Sequence, residues 1–443
     1  MAAPTSIMTP AARELPRKLS FVDALAIVAG TMIGSAIFIV PSTIAQTLPS
    51  TASIVSVWVV AGVITFFGAL AFAELGAMMP ATGGQYAHLR EAYGPLWGFL
   101  FGWALFLVIR SGGTATLAVG FSIYLGQFLP LSPITSKLAA LALIGALTWV
   151  NYRGVRQGAA VQKTFTLLKV LGLVILIGSA VLSGAPSKMT WEPATISLNQ
   201  FGVAMIACLW AYQGWFAVSW VAGEVQRPER NLPLSLVLGV GIVMAIYLSA
   251  NFAYLHVLTL PEIMKADRVA SLTAERVMGP IGSTFVSLAI LVSIVGATNS
   301  GLLAGPRVYF AQARDGLFFA KFGEVHPRFE TPAFSVLMQS AWAAVLAASG
   351  SYEKLFSYVI FTSWIFYGMT VAAVIVLRRK QPNLPRPYKM WGYPITPVLF
   401  VLVTAGFVVN TIFTKPGPSL IGLLLVATGV PVYYAWRVSA RRQ

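Results

Sequence analysis

The chain has 443 residues, of which 57% are apolar and only 10% charged, and its mean hydropathy is +0.77. A soluble domain carries about 25% charged residues, so this composition excludes a soluble globular enzyme and a disordered chain. The net charge of +16 would suit nucleic-acid binding, but no basic helix stands clear of the apolar runs, so we expect no nucleic-acid partner.

The apolar residues form long continuous runs, which are typical of membrane-spanning helices and not of β-barrel strands. Lys and Arg are concentrated between alternate runs, and this distribution predicts that both termini are cytoplasmic. The pattern therefore predicts an all-α integral protein of the cell membrane, embedded in the lipid bilayer. Its twelve predicted spans cover residues 21–47, 53–79, 95–128, 136–151, 159–183, 199–223, 232–258, 282–312, 333–350, 355–378, 393–412 and 418–437.

Two of the spans carry helix-breaking residues near their midpoints. The first reads VAGTMIGSAIFIVP, in which Gly34 and Ser35 lower the cost of unwinding. The sixth reads LWAYQGWFAV, with Gln213 and Gly214 at its centre. Interruptions at corresponding positions of two halves are a pointer to a transporter binding site. Close helix packing through small residues is the alternative interpretation.

A broken helix exposes amides at one new end and carbonyls at the other. Amides attract an anion and carbonyls attract a cation, so paired breaks suit a zwitterion such as a free amino acid. Two cations lie within other spans. Lys169, in span five, is interpreted as functional because a mid-membrane lysine is costly, with snorkelling as the alternative. Arg110, in span three, is interpreted as a structural pairing residue more than as a substrate contact.

Other classes of protein find little support. The sequence has one cysteine and three scattered histidines, so we expect neither a disulfide nor a metal site, and no cofactor. It has no H-E-x-x-H, no G-x-S-x-G and no phosphate-binding loop, which indicates that the protein is not an enzyme. No repeated filter sequence suggests a channel.

Several motifs resemble one transporter family. They are GTMIGSAIF in span one, PATGGQYAHLREAYGP after span two, WAYQGWFAVSWVAGEVQRPERNLP in span six and NSGLLAGPRVYFAQARDG in span eight. In this order and spacing they resemble the motifs of the amino acid–polyamine–organocation superfamily. The resemblance is to its L-type amino-acid transporters and to the bacterial serine/threonine and alanine/serine/cysteine exchangers.

The resemblance implies a LeuT-type fold, in which two inverted repeats of five helices each contain one discontinuous helix, numbers 1 and 6. It divides the chain into five parts. They are a cytoplasmic tail 1–20, a ten-helix core 21–378 with repeats 21–183 and 199–378, a cytoplasmic connector 379–392, helices 11 and 12 at 393–437, and a tail 438–443.

The same resemblance implies roles for particular residues. The amides of Ser35 and Ala36 would receive the substrate carboxylate, and the carbonyls of Met32, Trp210 and Gln213 the ammonium. Trp210 would also be the gating aromatic. Relatives usually have smaller residues at Ala36 and Trp210, so a small neutral amino acid is the expected substrate.

Further expectations concern coupling. Tyr247 would lie beside the substrate, Asn299 and Ser300 would open the eighth-span motif near it, and Gly34 would be a conformational residue. Lys169 would fill the space that sodium occupies in sodium-coupled relatives, which implies sodium-independent exchange. Proton-coupled import of amino acids or amines is the alternative. The loop 127–136 has no cysteine, so no disulfide-linked ancillary subunit is expected.

Overall fold

The computed structural model describes residues 14–184, 186–191, 194–349 and 352–440, without the side chains of 352–360 and 437–440. Residues 1–13 of the predicted N-terminal tail and 441–443 of the C-terminal tail lie outside the described residues. The first half of the described chain forms ten α-helices: α1 Phe21–Met32, α2 Ala36–Thr47, α3 Thr51–Met78, α4 Gln85–Tyr93, α5 Pro95–Ala104, α6 Arg110–Leu125, α7 Pro133–Arg153, α8 Val155–Leu182, α9 Leu198–Ala211 and α10 Ala217–Trp220.

The second half contributes ten more: α11 Pro228–Val257, α12 Leu260–Lys265, α13 Val269–Met278, α14 Ile281–Ala304, α15 Pro306–Arg314, α16 Ala333–Ser349, α17 Tyr352–Lys380, α18 Ile395–Thr414, α19 Pro416–Ala427 and α20 Gly429–Ala440. A π-helix joins α5 to α6 at Leu105–Ile109, and 3₁₀ turns cover Ala222–Glu224 and Ala320–Gly323. Within the described ranges the only β pairing is an isolated parallel bridge between Leu19 and Val225.

Ten helical segments among the described residues are long and apolar enough to cross a membrane. Two shorter apolar helices, α9 and α16, accompany them. The prediction of an all-helical, multi-pass membrane protein is therefore confirmed. The segment 259–281, which the sequence analysis treats as a loop, contains α12 and α13.

Local sequence signals explain where several helices begin. The Ser20 hydroxyl accepts from the Asp23 amide and the Asp23 carboxylate accepts from the Ser20 amide, which forms a capping box at α1. Ser197 and Gln200 form the same arrangement at α9. These caps satisfy amides that a helix start otherwise leaves without partners.

Helix α1 lies at the centre of the bundle, where it packs against α8, α11 and α14, while α2 packs against α9. Small residues permit the close approach that drives helix association in lipid. A Cβ at Gly239 of α11 would meet the Val28 side chain of α1 at 2.5 Å. The two interrupted helices are thus held inside the bundle by their neighbours.

A buried ion pair links the 3₁₀ turn after α10 to α15. The Arg307 guanidinium donates to both carboxylate oxygens of Glu224, at 2.6 and 3.2 Å, and both side chains are fully buried. Arg307 also donates to the Leu303 carbonyl at 2.6 Å. A second carboxylate, Glu74, is paired with Arg378 at 2.6 Å.

Replacing Glu224 with Gln is expected to destabilise the protein strongly, because removing one charge of a buried pair costs about 3–5 kcal/mol. The matched control is Glu262→Gln, which disrupts a half-exposed pair with Arg276 and should cost at most about 1 kcal/mol. Thermal unfolding of the purified variants in detergent measures both effects. Equal shifts in melting temperature for Glu224→Gln and Glu262→Gln would contradict the expectation that the buried ion pair contributes more to stability than the half-exposed one.

Candidate functional site

The first predicted break is present. Helix α1 ends at Met32 and α2 begins at Ala36, so three residues separate two helical segments of one span. The Gly34 amide donates to the Met32 carbonyl at 2.8 Å, which closes a tight turn. A Cβ at Gly34 would meet only that carbonyl, at 4.0 Å. The glycine therefore relieves no clash, and its lack of a side chain leaves the peptide open to the space beside it.

The second break lies directly against the first. Helix α9 ends at Ala211, and the chain turns through residues 212–216 before the short α10. Gly214 has a φ of +122°, a conformation that L side chains rarely adopt. A Cβ there would also meet the Thr31 backbone at 2.8 Å. Glycine is required at this point because the two breaks touch there.

A cavity of about 150 Å³ lies between the breaks. Its walls come from both interrupted helices and from α6, α14 and α17. Six of the residues predicted for the site line it: Met32, Gly34, Ser35, Ala36, Trp210 and Gln213.

Helix ends of both polarities border this cavity. Ser35 and Ala36 form the start of α2, where the first amides have no partners within the helix. Met32 ends α1, and Trp210 belongs to the last turn of α9. A helix start carries a partial positive charge of about +0.5 and a helix end about −0.5, so the cavity suits a ligand with both charges.

Lys169 lies deep in the bundle beside the first break, and its side chain is fully buried. Its ammonium donates to the carbonyls of Gly30 and Ile33, both at 2.8 Å, and to the Ser293 carbonyl at 3.2 Å. A Cβ at Gly296 of α14 would meet the ammonium at 3.0 Å, so a glycine makes room for it. The lysine therefore links α8 to the unwound part of span one and to α14.

The other predicted residues lie behind the cavity wall. The Tyr247 hydroxyl donates to the Met32 carbonyl at 2.8 Å. Asn299 donates to the Gly158 carbonyl and to Gln162, both at 3.0 Å, and so joins α14 to α8. Ser300 is hydrogen-bonded to Thr31 and not to Lys169. Tyr247 and Ser300 therefore hold the broken helix from outside, whereas Asn299 fixes α14 to its neighbour α8.

The structure also brings polar residues that were not predicted for the site to the cavity wall: Thr31, Arg110, Thr114, Thr116, Ser363 and Tyr367. The Gln213 amide donates to the Tyr367 hydroxyl at 3.1 Å, which ties the second break to α17. The sequence analysis interprets Arg110 chiefly as a structural residue, and the structure places it at the cavity. Span three contains no Asp or Glu that could pair with Arg110. This absence could have indicated from the sequence that the arginine faces the cavity.

The fold and the cavity define a class, that of multi-pass helical membrane proteins with a polar site between two discontinuous helices. Comparison with known proteins agrees. The profile of the amino acid permease family matches residues 19–436. The serine/threonine exchanger SteT of Bacillus subtilis is 33% identical over 426 residues, which cover 96% of this chain and 97% of SteT.

Two human proteins are similar to the same extent. The b(0,+)-type amino acid transporter 1 is 32% identical over 96% of this chain and 89% of its own length. The large neutral amino acids transporter small subunit 2 is 33% identical over 95% of this chain and 80% of its own length. The chain therefore belongs to the amino acid permease family, as the resemblance predicted, and is a transporter and not an enzyme.

Proposed function

We propose that this protein is a sodium-independent secondary transporter of L-amino acids, which exchanges small neutral amino acids by alternating access. The observation that carries the proposal is the cavity between the two helix breaks. An amino-acid zwitterion matches a helix start at one side of the cavity and helix ends at the other.

In this proposal the substrate bridges the breaks. Its carboxylate binds the amides of Ser35 and Ala36, and its ammonium binds the carbonyls of Met32, Trp210 and Gln213. The Met32 carbonyl already accepts from the Tyr247 hydroxyl and from the Gly34 amide, so the ammonium displaces one of these two donors. The indole of Trp210 covers the bound substrate, and Gly34 allows the outer half of span one to move.

Sodium independence is inferred from Lys169. Its ammonium holds carbonyls of the first break, which are the kind of ligand a sodium ion would use. A second cation beside a fixed one is disfavoured by Coulomb repulsion. Ser300 bonds Thr31 of the first span and Asn299 joins α14 to α8, so we assign both to the conformational change and not to substrate contact.

For the architecture we propose twelve spans, with α9–α10 as the sixth and α16 as the ninth, in the LeuT-type arrangement of two inverted five-helix repeats. The repeats cover 21–183 and 199–378, followed by the connector and helices 11 and 12 at 393–437. We also propose that both termini are cytoplasmic. The single cysteine, Cys208, is buried in α9, which supports transport without a disulfide-linked ancillary subunit.

Uptake of radiolabelled alanine, serine and leucine into proteoliposomes tests the proposal. We expect uptake of alanine and serine that requires an internal amino acid and does not respond to external sodium or to a pH gradient. Protein-free liposomes with the same contents are the control. Uptake into empty vesicles driven by an inward proton gradient would contradict exchange and favour a proton-coupled importer.

A further inference from the structure

One wall of the cavity carries buried polar atoms that have no hydrogen-bond partner among the described residues. Arg110, Thr114 and Thr116 of α6 all line the cavity. The Arg110 Nη2 and both threonine hydroxyls are buried and have no hydrogen-bond partner among the described residues. Because a buried polar group without a partner is costly, such a cluster in a cavity indicates a polar ligand.

The Arg110 side chain is held in place by its surroundings. Its Nε donates to the Gly301 carbonyl at 3.4 Å, and its guanidinium lies over the Trp220 ring, 5.2 Å from the centroid. A Cβ at Gly301 would meet that Nε at 3.2 Å, so the glycine lets the guanidinium lie against α14. The π-helix that precedes Arg110 is a feature often found at functional sites.

The cavity also carries a positive charge without a counter-ion. No Asp or Glu is among the described residues that line it, and no carboxylate in the described ranges forms an ion pair with Arg110. A fixed cation in a site largely shielded from water repels a second cation strongly. It attracts an oxygen acceptor, since a guanidinium is a hydrogen-bond donor only.

We propose that Arg110, with Thr114 beside it one helical turn away, recognises the substrate side chain. The pair selects amino acids whose side chains carry an oxygen acceptor, as a hydroxyl or an acid or amide carbonyl, over aliphatic amino acids of the same shape. It excludes amino acids and amines with a cationic side chain. This inference rests on the proposed function, because it assigns the side-chain end of the same site.

Threonine and valine have nearly the same shape and differ by the hydroxyl, so their transport ratio measures this recognition. For the wild-type protein in proteoliposomes loaded with alanine, we expect KM for threonine to be at least about tenfold lower than for valine. Excess lysine should not inhibit alanine exchange. In the Arg110→Met variant the ratio of the KM values for threonine and valine should approach one, and lysine should become an inhibitor of alanine exchange.

The matched control is Arg153→Gln, because Arg153 also lies over a tryptophan, Trp149, but at the end of α7 and outside the cavity. The Arg153→Gln variant should keep the wild-type ratio of the KM values for threonine and valine. Thr114→Val, which preserves shape, should bring this ratio closer to one even if Arg110→Met does not fold. Wild-type KM values for threonine and valine within twofold would overturn the inference while leaving amino-acid exchange intact. No exchange of any amino acid would instead refute the proposed function.

Discussion

Lys169→Ala is expected to reduce the rate of exchange by more than about tenfold while changing substrate affinity much less. The substitution removes three hydrogen bonds to buried carbonyls on α1, its break and α14. A buried hydrogen bond to a charged group contributes about 1.5–3 kcal/mol, and 1.4 kcal/mol corresponds to tenfold in rate. Initial rates of counterflow over a range of alanine concentrations separate the maximal rate from KM.

Lys163→Ala is the matched control for this experiment. Lys163 is on the same helix, and its half-exposed side chain pairs with Asp23 at 2.9 Å, so its loss should have little effect on exchange. Sodium should not restore transport to the Lys169→Ala variant, because a free ion cannot replace the link that the lysine makes between α8 and the first break. Restored transport with sodium would contradict the need for that link. Exchange by Lys169→Ala at the wild-type rate would refute its assigned role.

Gly214→Ala is expected to abolish transport. The new methyl group would meet the Thr31 backbone at 2.8 Å, and alanine is strained at a φ of +122°. Both effects force the two breaks apart and so disturb the helix ends on either side of the cavity. The variant should be measured by counterflow beside its yield and melting temperature, which report whether it folds.

Gly202→Ala supplies the comparison within the same span. Gly202 lies in α9 with nothing within 4 Å of its Cβ position, so alanine should be tolerated and should stabilise the helix by about 0.5–1 kcal/mol. Transport by both variants at the wild-type rate would show that close contact between the breaks is not needed for function.

The parts of the structure that the sequence predicted depend on local physics. Gly34 with Ser35 in one apolar run, and Gly214 beside the polar Gln213 in another, indicated the breaks because glycine weakens a helix wherever it lies. Lys169 was identified because a charge in an apolar run is costly in any membrane fold. Each signal is contained within a few residues.

The parts that were missed depend on distant contacts or on weak local signals. A backbone carbonyl has no sequence signature, so the Ser293 carbonyl could not be predicted as a partner of Lys169. The position of Arg110 in the cavity depends on the π-helix before it, which shifts the helical register. Thr259 and Glu262 form a capping box at the start of α12. This local signal could have predicted a helix in the segment between the seventh and eighth spans.

A single cysteine introduced into the cavity between the breaks tests most directly whether this cavity is the substrate site. Gly113 lines the cavity and has nothing within 4 Å of its Cβ position, so Gly113→Cys should fit. The only native cysteine, Cys208, is fully buried and can be replaced by alanine to give the background. Gly417→Cys, at an exposed helix start outside the cavity, is the control.

The measurement is the rate at which an anionic thiol reagent modifies each cysteine in detergent, with and without saturating serine. We predict that serine slows modification of the Gly113→Cys protein severalfold and leaves modification of the Gly417→Cys protein unaffected. Equal rates with and without serine at Gly113→Cys, in a variant that still exchanges serine, would show that the substrate binds elsewhere.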